Sequence, residues 1–331
     1  VFIGLQEGYF KYYLIALTGI LFFGVVLRLR EEIQANIVTV ACSLVVGLYL
    51  VEGTLTVFRL GGKIQQRSQL AAKYGVEYDE RTKLEVIEDL IAEGVDAVPT
   101  AQGWSFIQII GTKKEDIVHL FPLAGVSNKT AVHQNETGRW AIYPNDRYGF
   151  NNPDSEWDAT KLEWLLTGDS FTEGVAVQPG EDIAGQLRAI THQSAISLGR
   201  GGNGPLTELA ELTEYAGAIK PNKVLWIYYE GNDLISKRSN QINDLQRDKM
   251  NPLLTRYMEE GFSQNLINRQ KEIDSRLEEF IAKAQVWSQA ETQQHKNRWM
   301  RLYSIRNMIG FDVFVNVDID YPLFAKILTK A

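Results

Sequence analysis

Cysteine is almost absent from this 331-residue sequence, which contains only Cys42. A single cysteine excludes a disulfide framework and a thiol-based metal site. Histidine is also scarce, and neither His119 nor His133 has a metal-ligating companion at a useful spacing, so we expect neither a metal nor a cofactor. An excess of positive charge is absent as well. The net charge of −7 argues against general nucleic-acid binding, and we expect no nucleic-acid partner.

Two long apolar runs open the chain, over residues 12–29 and 37–58. Each is close to the roughly 20 residues that a helix needs to cross about 30 Å of hydrocarbon, and neither has a polar face. We predict a transmembrane helical hairpin over residues 1–60, with lipid around both helices. A buried helical hairpin in a soluble core is the alternative. The lysines and arginines beside the two runs favour a cytoplasmic position for the rest of the chain by a small margin.

Residues 61–160 form the second predicted domain. Its first part, to residue 93, is charged and helical in pattern, and Thr82 with Glu85 resembles a capping box. Short strand-like runs then follow between glycine and asparagine turns, over 105–110, 117–123 and 140–143. We therefore expect a juxtamembrane helix and a small β-rich subdomain.

The third predicted domain covers residues 161–331, where strands and helices alternate. The pattern predicts strands over 165–167, 195–198 and 224–229. Between them it predicts helices over 183–190 and 206–216. Such alternation is typical of an α/β fold with a parallel sheet and right-handed crossovers.

A long polar stretch follows Asp233 and extends to about Gly310, with a helix-forming composition. Within it lies an apolar stripe at helical spacing, formed by Ile273, Leu277, Phe280, Ile281 and Ala284. The stripe predicts an amphipathic packing helix, which could serve as a lid or as a docking surface. Residues 311–317 resemble one more strand.

Polar turns follow the three predicted strands, over residues 168–170, 199–204 and 230–233. Ligands of parallel sheets bind beyond the carboxyl ends of the strands, where these turns would converge. Ser170 stands where a strand gives way to a helix, a position that suits a nucleophile. Gly202 allows close approach of a backbone N–H, and Asn232 offers an amide donor. An ordinary turn at Gly-Asp-Ser is the alternative.

The three turns also carry a resemblance. GDSFTEG at 168–174, SLGRGGNGP at 197–205 and YYEGND at 228–233 resemble, in order, the first three blocks of the SGNH (GDSL-type) hydrolases and acyltransferases. RYGFNNPD at 147–154 resembles the approach to the first block in envelope-associated members. The match covers roughly residues 163–233.

The resemblance implies a three-layer, flavodoxin-like domain in which Ser170 is the nucleophile. The backbone N–H groups of Ser170 and Gly202 and the side chain of Asn232 would form the oxyanion hole, with Asp169 and Asp233 in support. It further implies an acyl ester as substrate, such as an acetyl ester on a carbohydrate or another acyl-bearing small molecule. Because such proteins work in the envelope, it favours a periplasmic domain over the cytoplasmic one that the charges favour.

The sequence departs from the family pattern in the second and third blocks and lacks the fourth block. Glu230 occupies the first glycine position of the third block, and Ser197 stands where the second block often has asparagine. The fourth block, Asp-x-x-His, is absent, so we infer that the catalytic Asp and His lie beyond Ala331. His192, on the order of 15 Å from Ser170 by helical rise, and His295 are weaker candidates for the base.

Two functions fit the sequence. The first is a membrane-anchored serine esterase or acyltransferase. The second is a structural or accessory subunit of a membrane complex, with membrane-protein partners and an SGNH-like domain whose catalysis is secondary or lost.

Overall fold

The computed structural model describes residues 10–60, 63–101, 119–235, 242–282, 302, 305 and 320–331. The chain forms two compact units. The first comprises Val1–Gln66, Lys237–Gln241 and Ser288–Asp318, and the second comprises Arg67–Ser236, Ile242–Trp287 and Ile319–Ala331. The β-rich part and the α/β part therefore belong to the same unit.

Both N-terminal apolar runs are helices, α1 at Phe10–Val26 and α2 at Glu31–Leu60. Among the described residues one helical segment, Glu31–Leu55, is long and apolar enough to cross a membrane. The first helix is shorter than the predicted span over 12–29. It ends early because the chain turns at Arg28 and Leu29, whose N–H groups donate to the carbonyls three residues before them.

Hydroxyl groups within α2 bond back to their own helix. Thr39, Ser43 and Thr54 each donate to the carbonyl oxygen four residues earlier, at 2.7–2.8 Å. This pairing satisfies polar groups that have few other partners in an apolar helix. Glu52 is fully buried, and its Oε2 accepts the N–H of Ile305 at 2.9 Å.

Two more helices follow, α3 at Lys63–Lys73 and α4 at Lys83–Ala92. The capping box at the start of α4 is confirmed: the Thr82 N–H donates to Glu85 Oε2 at 2.6 Å, and the Glu85 N–H donates to Thr82 Oγ1 at 3.3 Å. These bonds satisfy amide groups that have no partner within the helix.

The β-rich part contains a mixed three-stranded sheet, with β1 at Ala97–Pro99, β2 at Thr130–Val132 and β3 at Ile142–Pro144. The first pair is parallel and the second antiparallel. The strand predicted over 140–143 is thus displaced by two residues at its start and one at its end. The strand predicted over 105–110 lies outside the described residues.

The strand predicted over 117–123 is wrong in its described part, residues 119–123, which is irregular. Leu120, Phe121 and Leu123 are buried, as an apolar run should be. The backbone of Phe121 pairs with a side chain instead of a strand: its N–H donates to Gln264 Oε1 at 2.8 Å, and its carbonyl accepts from Gln264 Nε2 at 3.4 Å. These residues are apolar because they are buried, and their backbone groups do not take part in the hydrogen-bond ladder of a sheet.

The predicted parallel sheet is confirmed. It consists of β4 at Trp164–Gly168, β5 at Ala195–Ser197 and β6 at Lys223–Ile227, in the order β5-β4-β6. Leu165 and Leu166 of the central strand are fully buried. After β4 come a one-turn helix, α5 at Ser170–Glu173, and the predicted helix, α6 at Ile183–Thr191.

The helix predicted over 206–216 is interrupted. It comprises α7 at Pro205–Glu211, a π-helical turn at Leu212–Ala216 and a short α8 at Gly217–Ile219. The π-helical turn carries Tyr215, which is fully buried against Tyr148, Phe150 and Trp157. The altered helical pitch accompanies this aromatic cluster.

The polar stretch after Asp233 contains several short helices rather than one long helix in its described part. They are α10 at Asp244–Lys249, α11 at Pro252–Arg256 and α12 over 270–282. A one-turn helix, α9 at Glu230–Asp233, precedes the stretch, and α13 at Tyr321–Lys330 follows it. The apolar stripe is confirmed for its first four residues, from Ile273 to Ile281, which are buried. Ala284, His295 and the strand predicted over 311–317 lie outside the described residues.

Candidate functional site

Ser170 is the first residue of α5, directly beyond the carboxyl end of the central strand. Asp169 caps this helix, since its Oδ1 accepts the N–H of Phe171 at 2.9 Å. Asp169 is fully buried, whereas Ser170 is half-buried and lines a cavity of about 520 Å³. The predicted nucleophile therefore stands at a strand-to-helix turn with access to a space of ligand size.

The loop after β5, which carries Gly202, packs against the Ser170 turn. The Arg200 N–H and the Asn203 amide each donate to the Gly168 carbonyl at 3.3 Å. Gly199 fits so closely that a Cβ there would lie 2.4 Å from Thr172 Cβ. Gly202 itself has a φ of +83°, and its carbonyl accepts from the Arg247 guanidinium. The first two strand ends thus converge as predicted.

Asn232 joins the third strand end to the first. Its Nδ2 donates to Asp169 Oδ2 at 3.1 Å and to Asp244 Oδ2 at 2.9 Å. Both amide hydrogens therefore have carboxylate acceptors, and an oxyanion would have to replace one of them. Burial raises the pKa of Asp244 to about 6, although Arg247 beside it acts in the opposite direction.

Asp233 is fully buried at the same edge of the sheet. Its Oδ2 accepts the Tyr229 N–H at 2.8 Å, and its Oδ1 has no partner among the described residues. Burial raises the pKa of Asp233 to about 8 against the effect of the Tyr229 N–H, and the negative charges of Asp169 and Asp244 add to the increase. The hydrogen bond between the Asp233 carboxylate and the Tyr229 N–H stabilises the backbone of the turn over residues 230–233.

Two buried glutamates of α7 lie beneath these turns. Glu208 Oε2 accepts the Trp226 indole N–H at 2.6 Å, and Glu211 accepts from Thr167 at 2.9 Å and from Asn203 at 2.6 Å. Burial raises the pKa of both carboxyl groups well above the usual range. Sequence reasoning missed both residues; the available signal was a pair of acids three positions apart in an otherwise apolar helix.

Glu173 is a third residue that sequence reasoning missed, although it belongs to the GDSFTEG motif. It is buried, and its Oε1 contacts His133 Nε2 at 2.9 Å, Tyr143 Oη at 2.8 Å and Arg200 Nη1 at 3.3 Å. Its Oε2 accepts the Gly201 N–H. Burial alone would raise the pKa of Glu173, but Arg200 and then His133 and the Gly201 N–H lower it to about 2.

The loop over 147–154 packs near the strand ends. Asn151 donates to the Glu173 carbonyl at 2.9 Å. Asn152 pairs with Ser197, accepting its N–H at 2.7 Å and donating to its carbonyl at 2.9 Å. Asn152 thereby satisfies both backbone groups of Ser197, a residue that differs from the SGNH pattern.

No histidine bonds to Ser170 in the part of the chain that the structure describes. His133 contacts Glu173, and His192 is the exposed, left-handed C-cap of α6 with a φ of 55°. His119 is exposed. Over the same residues, no group of three or more His, Cys, Asp or Glu side chains could hold a metal ion.

Of the three residues predicted to supply oxyanion donors, only Ser170 lines the cavity among the described residues. Among the described residues it is lined by Gln134, Glu136, Ser170, Phe171, Gly174, Val175, Ala176, Val177, Glu181, Asp182 and Ile183. Gly202 and Asn232 are not among these. Ser170 is therefore the point where the cavity meets the polar strand ends.

No family model, no curated protein and no solved structure matches this chain. The resemblance to SGNH enzymes consequently rests on the three sequence motifs alone.

We expect Glu173→Gln to destabilise the protein by about 3–5 kcal/mol, because it leaves the buried Arg200 without its counter-ion. The pKa of Glu173 is lowered in the folded state, so its stabilising effect is complete above the ordinary value of 4.5 and is lost as the pH falls toward about 2. Urea unfolding at several pH values measures the difference between wild type and variant. A difference that is small at neutral pH would contradict the assigned ion pair.

We expect the stability of the wild type to fall as the pH rises toward about 8, because folded Asp233 keeps its proton up to that pH while the unfolded chain loses it near 3.8. Asp233→Asn cannot ionise and should show a smaller fall. Melting temperatures between about pH 5 and about pH 8.5 measure both slopes. The exposed Glu88→Gln is the control and should follow the wild type. Equal slopes for Asp233→Asn and wild type would contradict the raised pKa.

Proposed function

We propose that this chain belongs to a membrane-anchored serine esterase or acyltransferase of the SGNH type, which acts on an acyl ester, such as an acetyl ester, of a carbohydrate. The observation that carries the proposal is the position of Ser170. It is half-buried at the first turn of a helix, at the edge of a 520 Å³ cavity, and both other motif loops are hydrogen-bonded to its turn.

In the proposed reaction, the Ser170 oxygen attacks the acyl carbon, and its proton goes to a general base. The bond from the acyl carbon to the alcohol oxygen then breaks, and the base returns the proton to that oxygen. Water takes the acyl group in an esterase, and a second hydroxyl takes it in an acyltransferase.

The proposed oxyanion hole consists of the Ser170 and Gly202 N–H groups and the Asn232 amide. The Asn232 amide can donate to the oxyanion once one of its two hydrogen bonds to carboxylates is broken. Asp244 is the better candidate to leave, because Asp169 also caps α5 and is needed for the Ser170 turn.

We further propose that the large domain has the SGNH-type three-layer fold and lies in the periplasm, and that α1 and α2 both span the membrane. The apolar surface of α2 supports the membrane contact. Its exposed large side chains include Val38, Val40, Leu44, Val45, Val46, Leu50 and Val51, which water would solvate poorly.

A second function is favoured by the state of Asn232. Both of its amide hydrogens are engaged by carboxylates, and Ser170 has no histidine partner among the described residues. These features suit an accessory subunit of a membrane complex that retains the fold without using the serine.

Labelling of the full-length gene product with a neutral fluorophosphonate distinguishes the two functions. We expect covalent modification of wild type and none of Ser170→Ala, because only an activated serine reacts at an appreciable rate. Ser194→Ala, at a half-buried serine between α6 and β5 that does not line the cavity, is the matched control and should label like wild type. Unmodified Ser170 in a folded, full-length protein would rule out the esterase and favour the accessory subunit.

Reporter fusions test the proposed topology. An alkaline phosphatase fused after Gly62 should be active, because this enzyme needs the oxidising periplasm to form its disulfides. A fusion after Arg30, in the turn between α1 and α2, should be inactive. Activity of both fusions would contradict two spans, and the reverse pattern would place the large domain in the cytoplasm.

A further inference from the structure

We propose that the cavity beside Ser170 accepts a neutral or positively charged part of the substrate and rejects a negatively charged one, with Glu136 and Glu181 setting this preference. This inference rests on the function proposed above, since it concerns the substrate of Ser170. It narrows the acyl esters that the site would accept to those without an anionic group on the side that enters the cavity.

The size of the cavity suits a small organic group. About 520 Å³ lies within the range of small-molecule sites, and Ser170 forms part of the wall. An ester bound with its carbonyl at Ser170 would extend one of its two arms into this space. The other arm would extend toward the loops that carry Gly202 and Asn232.

The body of the cavity is apolar. Phe171 is largely exposed, and Val175, Ala176, Val177 and Ile183 are partly exposed. Such a surface gains free energy when it is covered by an apolar group. The ring of Phe171 is held by an edge-to-face contact with Tyr229, at 5.2 Å between ring centroids, so this wall has a defined position.

All the charges on the wall are negative. Glu136, Glu181 and Asp182 line the cavity, and no lysine or arginine does so among the described residues. Glu136 is exposed and has no hydrogen bond or ion pair within the described ranges, and Glu181 accepts only the Gln178 N–H, at 3.0 Å. The nearby guanidinium of Arg200 is already paired with Glu173.

The N-terminus of a helix in the cavity wall would favour an anion, in opposition to the two glutamates. The N-terminus of α6 begins at Ile183, and the positive end of a helix dipole attracts anions. Asp182 caps this terminus, because its Oδ1 accepts the Gly185 N–H at 2.8 Å. Asp182 therefore already supplies the negative charge that the helix end attracts. Glu136 and Glu181 have no ion-pair partner within 4 Å among the described residues; the guanidinium of Arg67 donates to the carbonyl of Asn135 instead.

An anionic group in the cavity would approach the carboxylates of Glu136 and Glu181, neither of which has an ion-pair partner among the described residues. Repulsion of this kind is a usual source of specificity, because it penalises the wrong ligand more than it favours the right one. Exposed charges are screened by salt over about 10 Å at 0.1 M. The preference should therefore be strongest at low ionic strength.

The test measures the rate at which Ser170 in the full-length protein is labelled by three phosphonate probes of matched size. One carries a tert-butyl group, one the isosteric trimethylammonium group and one a carboxylate. At about 0.01 M salt we expect the neutral and cationic probes to react about tenfold faster than the anionic probe, and the ratio to shrink at about 1 M.

Two variants assign the effect to the cavity. In Glu136→Gln with Glu181→Gln the discrimination against the anionic probe should fall to about twofold. Glu136→Gln alone should give an intermediate value, and because its side chain is exposed and unbonded among the described residues, it should fold normally. Glu88→Gln removes the same charge outside the cavity and should keep the wild-type ratio.

The outcomes separate this inference from the proposed function. Equal labelling of Ser170 by all three probes overturns the inference and leaves the esterase standing. A preference that survives in the double variant overturns the assignment to Glu136 and Glu181. Failure of every probe to label Ser170 overturns the proposed function and, with it, the inference.

Discussion

The buried carboxylate of Glu173 is the contact on which the arrangement of the site depends. It belongs to the helix that begins at Ser170, and it binds His133 and Tyr143 of the β-rich part as well as Arg200 and Gly201 of the loop after β5. Taking a carboxylate out of water costs several kcal/mol unless such partners are present. Because all of these partners bind one side chain, the turn at Ser170 and the glycine-rich loop after β5 keep a fixed position relative to each other.

A second group of acids controls the other side of the same turn. Asp169 and Asp244 share the Asn232 amide, while Arg247 links Asp244 to the carbonyl of Gly202. Burial favours the neutral form of carboxyl groups here, as the raised pKa values of Asp233 and Asp244 indicate. The hydrogen bonds that orient Asn232 therefore depend on the protonation state of the neighbouring carboxyl groups as well as on geometry.

The sequence predicted the parts of the fold that local pattern determines. The strands β4 to β6 are short apolar runs between turns, and the capping box at Thr82 is a signal of four residues, so both could be read directly. The convergence of Ser170, Gly202 and Asn232 followed from the rule for parallel sheets. Glu173 and Asp244 could not be found in this way, because their roles depend on partners 28 and 12 positions away, among others. The strand prediction was wrong at residues 119–123 because a buried irregular segment and a buried strand can have the same run of apolar residues.

The pairing of Phe121 with Gln264 has a consequence for the order of folding. The two residues are 143 positions apart, and a single amide side chain completes both backbone hydrogen bonds of Phe121. Contacts of such long range form slowly, since the entropy of closing the loop is lost before any contact is gained. During synthesis the two hydrogen bonds between Phe121 and Gln264 can therefore form only after more than a hundred further residues have left the ribosome. Apolar segments whose native contacts form this late are exposed to aggregation in the nascent chain.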